Sequence, residues 1–504
     1  MTKATLIYNA RLLDEANDTP GVLLVVEGKI RAVYQGYFTD AETVKGLAEI
    51  VMKEDGYTSS DLLELYDAQG LTVTPSFIDM HVHLRDPGLT HKENLETGLH
   101  AAIAGGYGTI VAMPNTKPVI STGEQAREVR ERAAALGLAN MFQVCSITKN
   151  FEGKETDHLL GLNREEVPVI SEDGKEVASS AIMLDAMKIA GKKGMIVACH
   201  CEDPDLAAAA RPFRKHALEV MEKYNLPAWG GSLDDNEDVP EEAIEEIDSA
   251  LTEANVLLTM AEDIATERNI NIARQAGCHL HCCHVSTAGS IEYVRKAKER
   301  LMDEAADFYA DMADAAYDAS EDGVQFKPIP PMENGFSVTC EVTPHHIALC
   351  GTDEPNIRAL VNPPLRSEDD RVMIIDAIRD GTVDCISTDH APHTLEDKAG
   401  GAPGFTGIET SYGVCNTVLV KECQISAKRL SQLMSANPAR ILKLKKGLLK
   451  IGYDADLTVV NPDEQWIVDS RMFYSKGKAT PFDGRTLTGK VKTVFINGRK
   501  IFES

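Results

Sequence analysis

FIDMHVH, residues Phe77 to His83, is an apolar run closed by two histidines with one residue between them. In a β-strand alternate side chains share a face, so His81 and His83 point the same way. Seven further runs of the same kind follow. They are TIVAMPN (Thr109 to Asn115), MFQVCSI (Met141 to Ile147), VPVISED (Val167 to Asp173), MIVACHCE (Met195 to Glu202), HLHCCHVS (His279 to Ser286), SVTCEVTP (Ser337 to Pro344) and DCISTDH (Asp384 to His390). Near-continuous apolar runs are the mark of parallel strands buried on both faces, and the helix-compatible stretches between them supply the crossovers. Eight such units predict an α/β fold, a (β/α)8 TIM barrel. An open doubly wound sheet is the alternative, because periodicity alone does not close a barrel.

The ends of the runs favour the barrel. His81 and His83, Asn115, Asp173, His200, His284, His345 and Asp389 all fall at C-terminal ends, the face on which TIM barrels build their active sites. Outside this rhythm, residues 1–70 and 446–504 read as short strands with turn signals, two halves of one small β-sandwich domain formed by both termini. The barrel is expected over 71–445, with acidic insertions near 224–249 and 300–334.

Composition narrows the class of function. The chain has 504 residues, 43% hydrophobic and 26% charged, with a formal net charge of −27. That balance argues against nucleic acid or an anionic membrane as partner, since both require a basic face. No stretch of about 18 apolar residues suggests a membrane span, and the opening MTKATLIYNARLLDE turns polar too early for a signal peptide. The eleven cysteines form no CxxC pair and many lie inside apolar runs, as expected of reduced, buried thiols in a cytoplasmic protein.

An HxH pair alone is weak grounds for a metal. Here it is joined by His200 and His284 at the ends of the fifth and sixth runs, and by Asp173 and Asp389 at the ends of the fourth and eighth. Four histidines and two carboxylates exceed the needs of one tetrahedral zinc and suit two divalent ions sharing a bridging carboxylate. Hydrolysis of an amide near neutral pH needs a strong nucleophile, and a pair of metals lowers the pKa of a shared water. A neighbouring carboxylate can then move the proton; Asp389 is placed for that role. Arg85, just past His83, offers a planar fork suited to a substrate carboxylate.

Taken in order, HVHLRDPG (His81 to Gly88), AMPNT (Ala112 to Thr116), ISEDG (Ile170 to Gly174), ACHCE (Ala198 to Glu202), HVST (His284 to Thr287), EVTPHH (Glu341 to His346), NPPLR (Asn362 to Arg366), STDHAPH (Ser387 to His393) and SKGKATPF (Ser475 to Phe482) resemble dihydroorotases of the bacterial class I type, in the amidohydrolase superfamily. The resemblance implies reversible interconversion of (S)-dihydroorotate and N-carbamoyl-L-aspartate in pyrimidine biosynthesis. It implies His81 and His83 as ligands of a first metal, His200 and His284 of a second, Asp173 as the bridge, and Asp389 as both ligand and base. Arg85, Asn115 and His393 would hold the substrate carboxylate, Asn362 another part of it, and the loop at Pro403 and Gly404 would cover the ring. Two zinc ions are the implied cofactors and a small molecule the partner, with homo-oligomerisation or association with aspartate transcarbamoylase left open. This chain departs from many relatives in having Glu172 where they carry aspartate, and from some in a GAPGFTGIET loop one residue shorter.

Two rival readings stay in view. Dihydropyrimidinases, hydantoinases and allantoinases usually bridge their metals with a carboxylated lysine at the fourth strand, whereas here Lys175 lies beyond Asp173 in the loop. An inactive assembly partner of aspartate transcarbamoylase would have lost metal ligands, and all six expected ones are present.

Overall fold

The computed structural model describes residues 4–54, 56, 63–224, 226, 239–304, 335–351 and 360–504. Strands β1 (Ala4–Leu13), β2 (Asp18–Val26), β3 (Lys29–Gln35), β4 (Leu63–Asp67) and β5 (Thr72–Pro75) open the chain. Each of the eight expected runs then overlaps a strand: β6 (Phe77–Val82), β7 (Tyr107–Ala112), β8 (Asn140–Gln143), β9 (Val169–Ser171), β10 (Ile196–Cys199), β11 (His279–Cys282), β12 (Ser337–Val342) and β13 (Cys385–Ile386). Strands β14 (Leu457–Ile467), β15 (Thr486–Ile496) and β16 (Arg499–Glu503) close it.

All pairings among β6 to β13 are parallel, in the arcs β6-β7-β8 and β9-β10-β11-β12-β13. Parallel bridges Cys145 to Ile170 and Val82 to His390 join the arcs at both seams, so the barrel closes and the open sheet is excluded. Alternation sorts the side chains. On β7 Ile110 and Ala112 pack outward while Val111 and Met113 fill the interior; on β10 Val197 and Cys199 pack outward while Ile196 and Ala198 point in. Ala439, Ile441 and Leu442 belong to the same interior cluster. They stop its N-terminal end, where Asn437 Nδ2 donates to Asp384 O just before β13. The barrel is therefore a packed core, with the apolar interior closed at this end and its metal-capable side chains at the opposite mouth.

Both termini contribute to one eight-stranded sheet, in the order β16-β15-β14-β5-β1-β2-β3 with β4 beside β1. Ile7 and Leu23 share a core with Leu457, Val459 and Phe495, so the two halves face each other across it. The alternate residues Leu6, Tyr8 and Leu24 pack under Val44, Ala48 and Met52 of the helix Ala41–Glu54. The sheet includes β5, inside the stretch expected to open the barrel.

The first expected insertion runs into a 36-residue helix, Glu241–Ala276, that packs along the barrel helix Pro204–Lys223. Its remaining residues 225 and 227–238, and all of 305–334, lie outside the described residues. The eleven cysteines are free thiols.

Candidate metal centre and active site

The six expected ligands converge at the C-terminal mouth. His81 closes β6, His83 and His200 follow their strands directly, and Asp173, His284 and Asp389 sit on the turns after β9, β11 and β13. Asp173 is central. Its Oδ1 lies 3.4 Å from His81 Nε2, 3.3 Å from His200 Nδ1 and 3.4 Å from His284 Nε2, and its Oδ2 lies 3.3 Å from His83 Nε2. Asp389 Oδ1 is 3.1 Å from His83 Nε2 and 3.6 Å from His81 Nε2. His200 Nδ1 and His284 Nε2 stand 2.9 Å apart.

These residues fit a metal pair on three counts. Zinc bonds of about 2.0–2.2 Å place neighbouring tetrahedral donors about 3.3–3.6 Å apart, the spacing seen around Asp173. His81 Nε2 and Asp173 Oδ1, which face each other across the centre, are buried with no hydrogen-bond partner, a costly state unless something else engages them. The close pair His200 Nδ1 and His284 Nε2 requires a proton or a cation between two nitrogen lone pairs. His81, Asp173 and His284 form one compact group of donors, and His81, His83 and Asp389 another.

The surroundings orient this centre. Glu341, facing inward from β12, accepts from His81 Nδ1 at 2.8 Å and from His281 Nε2 at 3.0 Å, and also from Ser387 Oγ. That fixes the His81 tautomer and leaves Nε2 free. Sequence reasoning missed Glu341, although a carboxylate inside the apolar run SVTCEV was a visible signal. His83 Nδ1 donates to Asn115 Oδ1 at 2.9 Å. His281 is bonded through both ring nitrogens, the second to Thr339, which also meets His279 Nε2. His345 is different: its Nε2 has no partner, and its ring packs on Phe405 beside the mouth. His346 bonds Thr343 and the carbonyls of Pro363 and Pro364.

Charge follows the same geometry. Burial opposes the ionised form of Asp173, but His81, His200 and His284 outweigh it and hold its carboxyl well below the usual range. Burial likewise opposes Asp389, and His83 and His81 bring it to about 2. Arg85, His284 and Asp389 all take positive φ, at 60°, 32° and 48°. Such strain in non-glycine residues clusters where side chains must be aimed at a ligand.

Beside the ligands lies a cluster of cationic side chains. Arg85 Nη2 and Lys92 Nζ approach the two ring nitrogens of His393 at 3.2 and 3.3 Å. Burial, then Arg85, Lys398 and Lys92, press the His393 pKa down to about 3, so its ring is neutral. Gly404 adjoins this cluster at φ +108°, where an added Cβ would come within 2.7 Å of Ala391 Cβ and 3.7 Å of the His393 ring. Pro403 beside it is exposed. Asn362 Oδ1 accepts from Arg214 Nη1. Glu172 turns away from the centre and accepts from Thr148 N and Oγ1, both at 2.7 Å. Lys175 donates to Phe151 O, so it does not bridge the ligands.

Histidines and carboxylates around one barrel mouth, with Arg85, Lys92 and His393 clustered at their side, define a metal-dependent hydrolase of the amidohydrolase class. The amidohydrolase family profile matches residues 72–501, and the chain belongs to that family. Within it the chain is similar to the dihydroorotase of Clostridium botulinum, 35% identical over 98% of each chain. The dihydroorotase of Brevibacillus brevis is 32% identical over 99% of each. Among solved structures, the L-hydantoinase of Arthrobacter aurescens superposes with a TM-score of 0.74 at 22% identity, covering 100% of this chain and 96% of that one. The dihydropyrimidinase of Brevibacillus agri gives 0.71 at 19% identity, covering 100% and 95%. These structural likenesses extend to the fold.

Proposed function

We propose that the chain is a dihydroorotase, hydrolysing the ring amide of (S)-dihydroorotate to N-carbamoyl-L-aspartate and closing it again in reverse. The observation that carries the substrate is the Arg85–His393 pocket beside the histidine and carboxylate cluster, which matches a ring bearing a carboxylate. Full-length similarity to dihydroorotases supports the same reading.

His81, His83 and Asp389 would hold one metal ion and His200 and His284 another, with Asp173 between them. Imidazole and carboxylate donors suit zinc. When bound, the ions would polarise the amide carbonyl and acidify water. Arg85 takes the substrate carboxylate through its fork, with the neutral ring of His393 held against it. Asn115 has its oxygen committed to His83, so only its amide group is left to donate to substrate. Asp389, ionised because its carboxyl sits at about 2, accepts the proton of the attacking water. It returns that proton to the ring nitrogen as the carbon–nitrogen bond breaks, leaving a ureido group and a carboxyl group that releases its remaining proton to solvent. Asn362 would contact another part of the substrate, and the Pro403–Gly404 segment would cover the ring. The state of the eleven thiols, all free, accords with work in the reducing cytoplasm.

The direct test is a two-way assay: dihydroorotate hydrolysis and N-carbamoyl-L-aspartate cyclisation, before and after chelation and after zinc is restored. The reading expects both directions, lost and regained together. A zinc-loaded protein inert in both directions would refute it.

A further inference from the structure

Lys398 is among the most deeply buried side chains of the molecule, 2% exposed, yet it carries an ammonium group. Its Nζ donates to three backbone carbonyls: Leu360 at 3.0 Å, Gly404 at 2.7 Å, and Ala402. Gly404 N also donates to Leu360 O at 2.8 Å. The ammonium therefore knots two segments far apart in sequence. One carries Pro403 and Gly404; the other leads through Val361 to Asn362, whose side chain Arg214 grips from the opposite side. Ala391 N to Phe405 O and Thr406 N to Ala479 O extend the bracing of the loop.

Burying an ammonium is expensive, and an apolar side chain of similar length would fill the space at less cost. Burial, then Arg214 and Arg85, press the Lys398 pKa down, with Asp397 opposing and Lys92 adding to the effect. But the three carbonyl acceptors hold the proton, since a neutral amine has only two N–H groups to donate. A cation in that company gains from an anion in the pocket beside it.

Resting on the dihydroorotase reading, we propose that Lys398 is a positioning residue that locks the Pro403–Gly404 loop to the Leu360–Asn362 segment, so that both close together on a carboxylate-bearing ring. Occupancy of the Arg85–His393 pocket by the substrate carboxylate offsets the repulsion on the ammonium and tightens the knot. By reciprocity, loss of the knot weakens substrate binding. The chemistry at Asp389 is left alone.

The test pairs kinetics of Lys398→Met with hydrogen exchange of the wild-type enzyme. The dihydroorotate KM of the variant should rise about tenfold or more, with kcat within about threefold and bound zinc unchanged. In the wild type, dihydroorotate should slow exchange in 398–407 and 360–366 together. An unchanged KM in an active, zinc-loaded variant, or protection of one segment without the other, would overturn the lock. If the variant does not fold, the wild-type exchange decides alone. A wild type that turns over no dihydroorotate would instead remove the substrate reading, and the lock with it.

Discussion

Glu341 Oε1 sits 2.8 Å from His81 Nδ1, on the side of the ring opposite the unpartnered Nε2. A buried carboxylate in that position fixes which nitrogen carries the proton and how the ring is aimed. Glu341→Gln should therefore weaken zinc binding about 10- to 100-fold, measured by competition with a chromophoric chelator. Zinc affinity equal to wild type would mean that His81 needs no such support.

Asp389 is the group assigned to proton transfer. Asp389→Asn keeps the shape and removes the base, so kcat should fall about 10²–10⁴-fold, with a much smaller change in KM. Steady-state assay of dihydroorotate hydrolysis reads both constants. A variant within about threefold of wild type would assign the base elsewhere, with His345 the next group to examine.

Arg85 should act on binding. Removing a bidentate, charge-assisted contact costs about 1.5–3 kcal/mol, so Arg85→Met should raise the dihydroorotate KM roughly 10- to 100-fold. Inhibition by simple dicarboxylates, followed by titration, should weaken in parallel. An unchanged KM would place the substrate carboxylate outside this pocket.

Glu409 predicts a pH effect away from the metal centre. Burial, against the opposing backbone donors Tyr474 N and Ser475 N, holds its carboxyl up at about 7. An unfolded glutamate titrates near 4.3, so between those values the native chain keeps a proton that the unfolded chain has released. The contribution is full below about pH 4 and is lost as pH rises towards about 7. Glu409→Gln should gain stability relative to wild type from about pH 5 to about pH 8, on the order of 2 kcal/mol, read by denaturant unfolding. A difference that stays constant across that range would contradict it.

The barrel was legible because each of its strands is a short apolar run whose period and polar ending survive in the sequence. Its closure was not. The bridges Val82 to His390 and Cys145 to Ile170 are long-range pairings that no local pattern encodes. The six expected ligands could be picked out as strand endings, and the structure gathers the four histidines around Asp173, with Asp389 against His81 and His83. What escaped were the groups that act through others: Glu341, a lone carboxylate within an apolar strand, and Lys398, which reads as an ordinary lysine in a polar loop. Their roles depend on burial and on carbonyls distant in sequence, and those are properties of the packed chain.

The central claim is that this barrel selects an anionic ring. Its most direct measurement is kcat/KM for dihydroorotate beside hydantoin and dihydrouracil, on one zinc-loaded preparation. The account predicts that dihydroorotate leads both neutral rings by at least about 10²-fold, the value of a good carboxylate contact. Efficient turnover of hydantoin or dihydrouracil with none of dihydroorotate would contradict it.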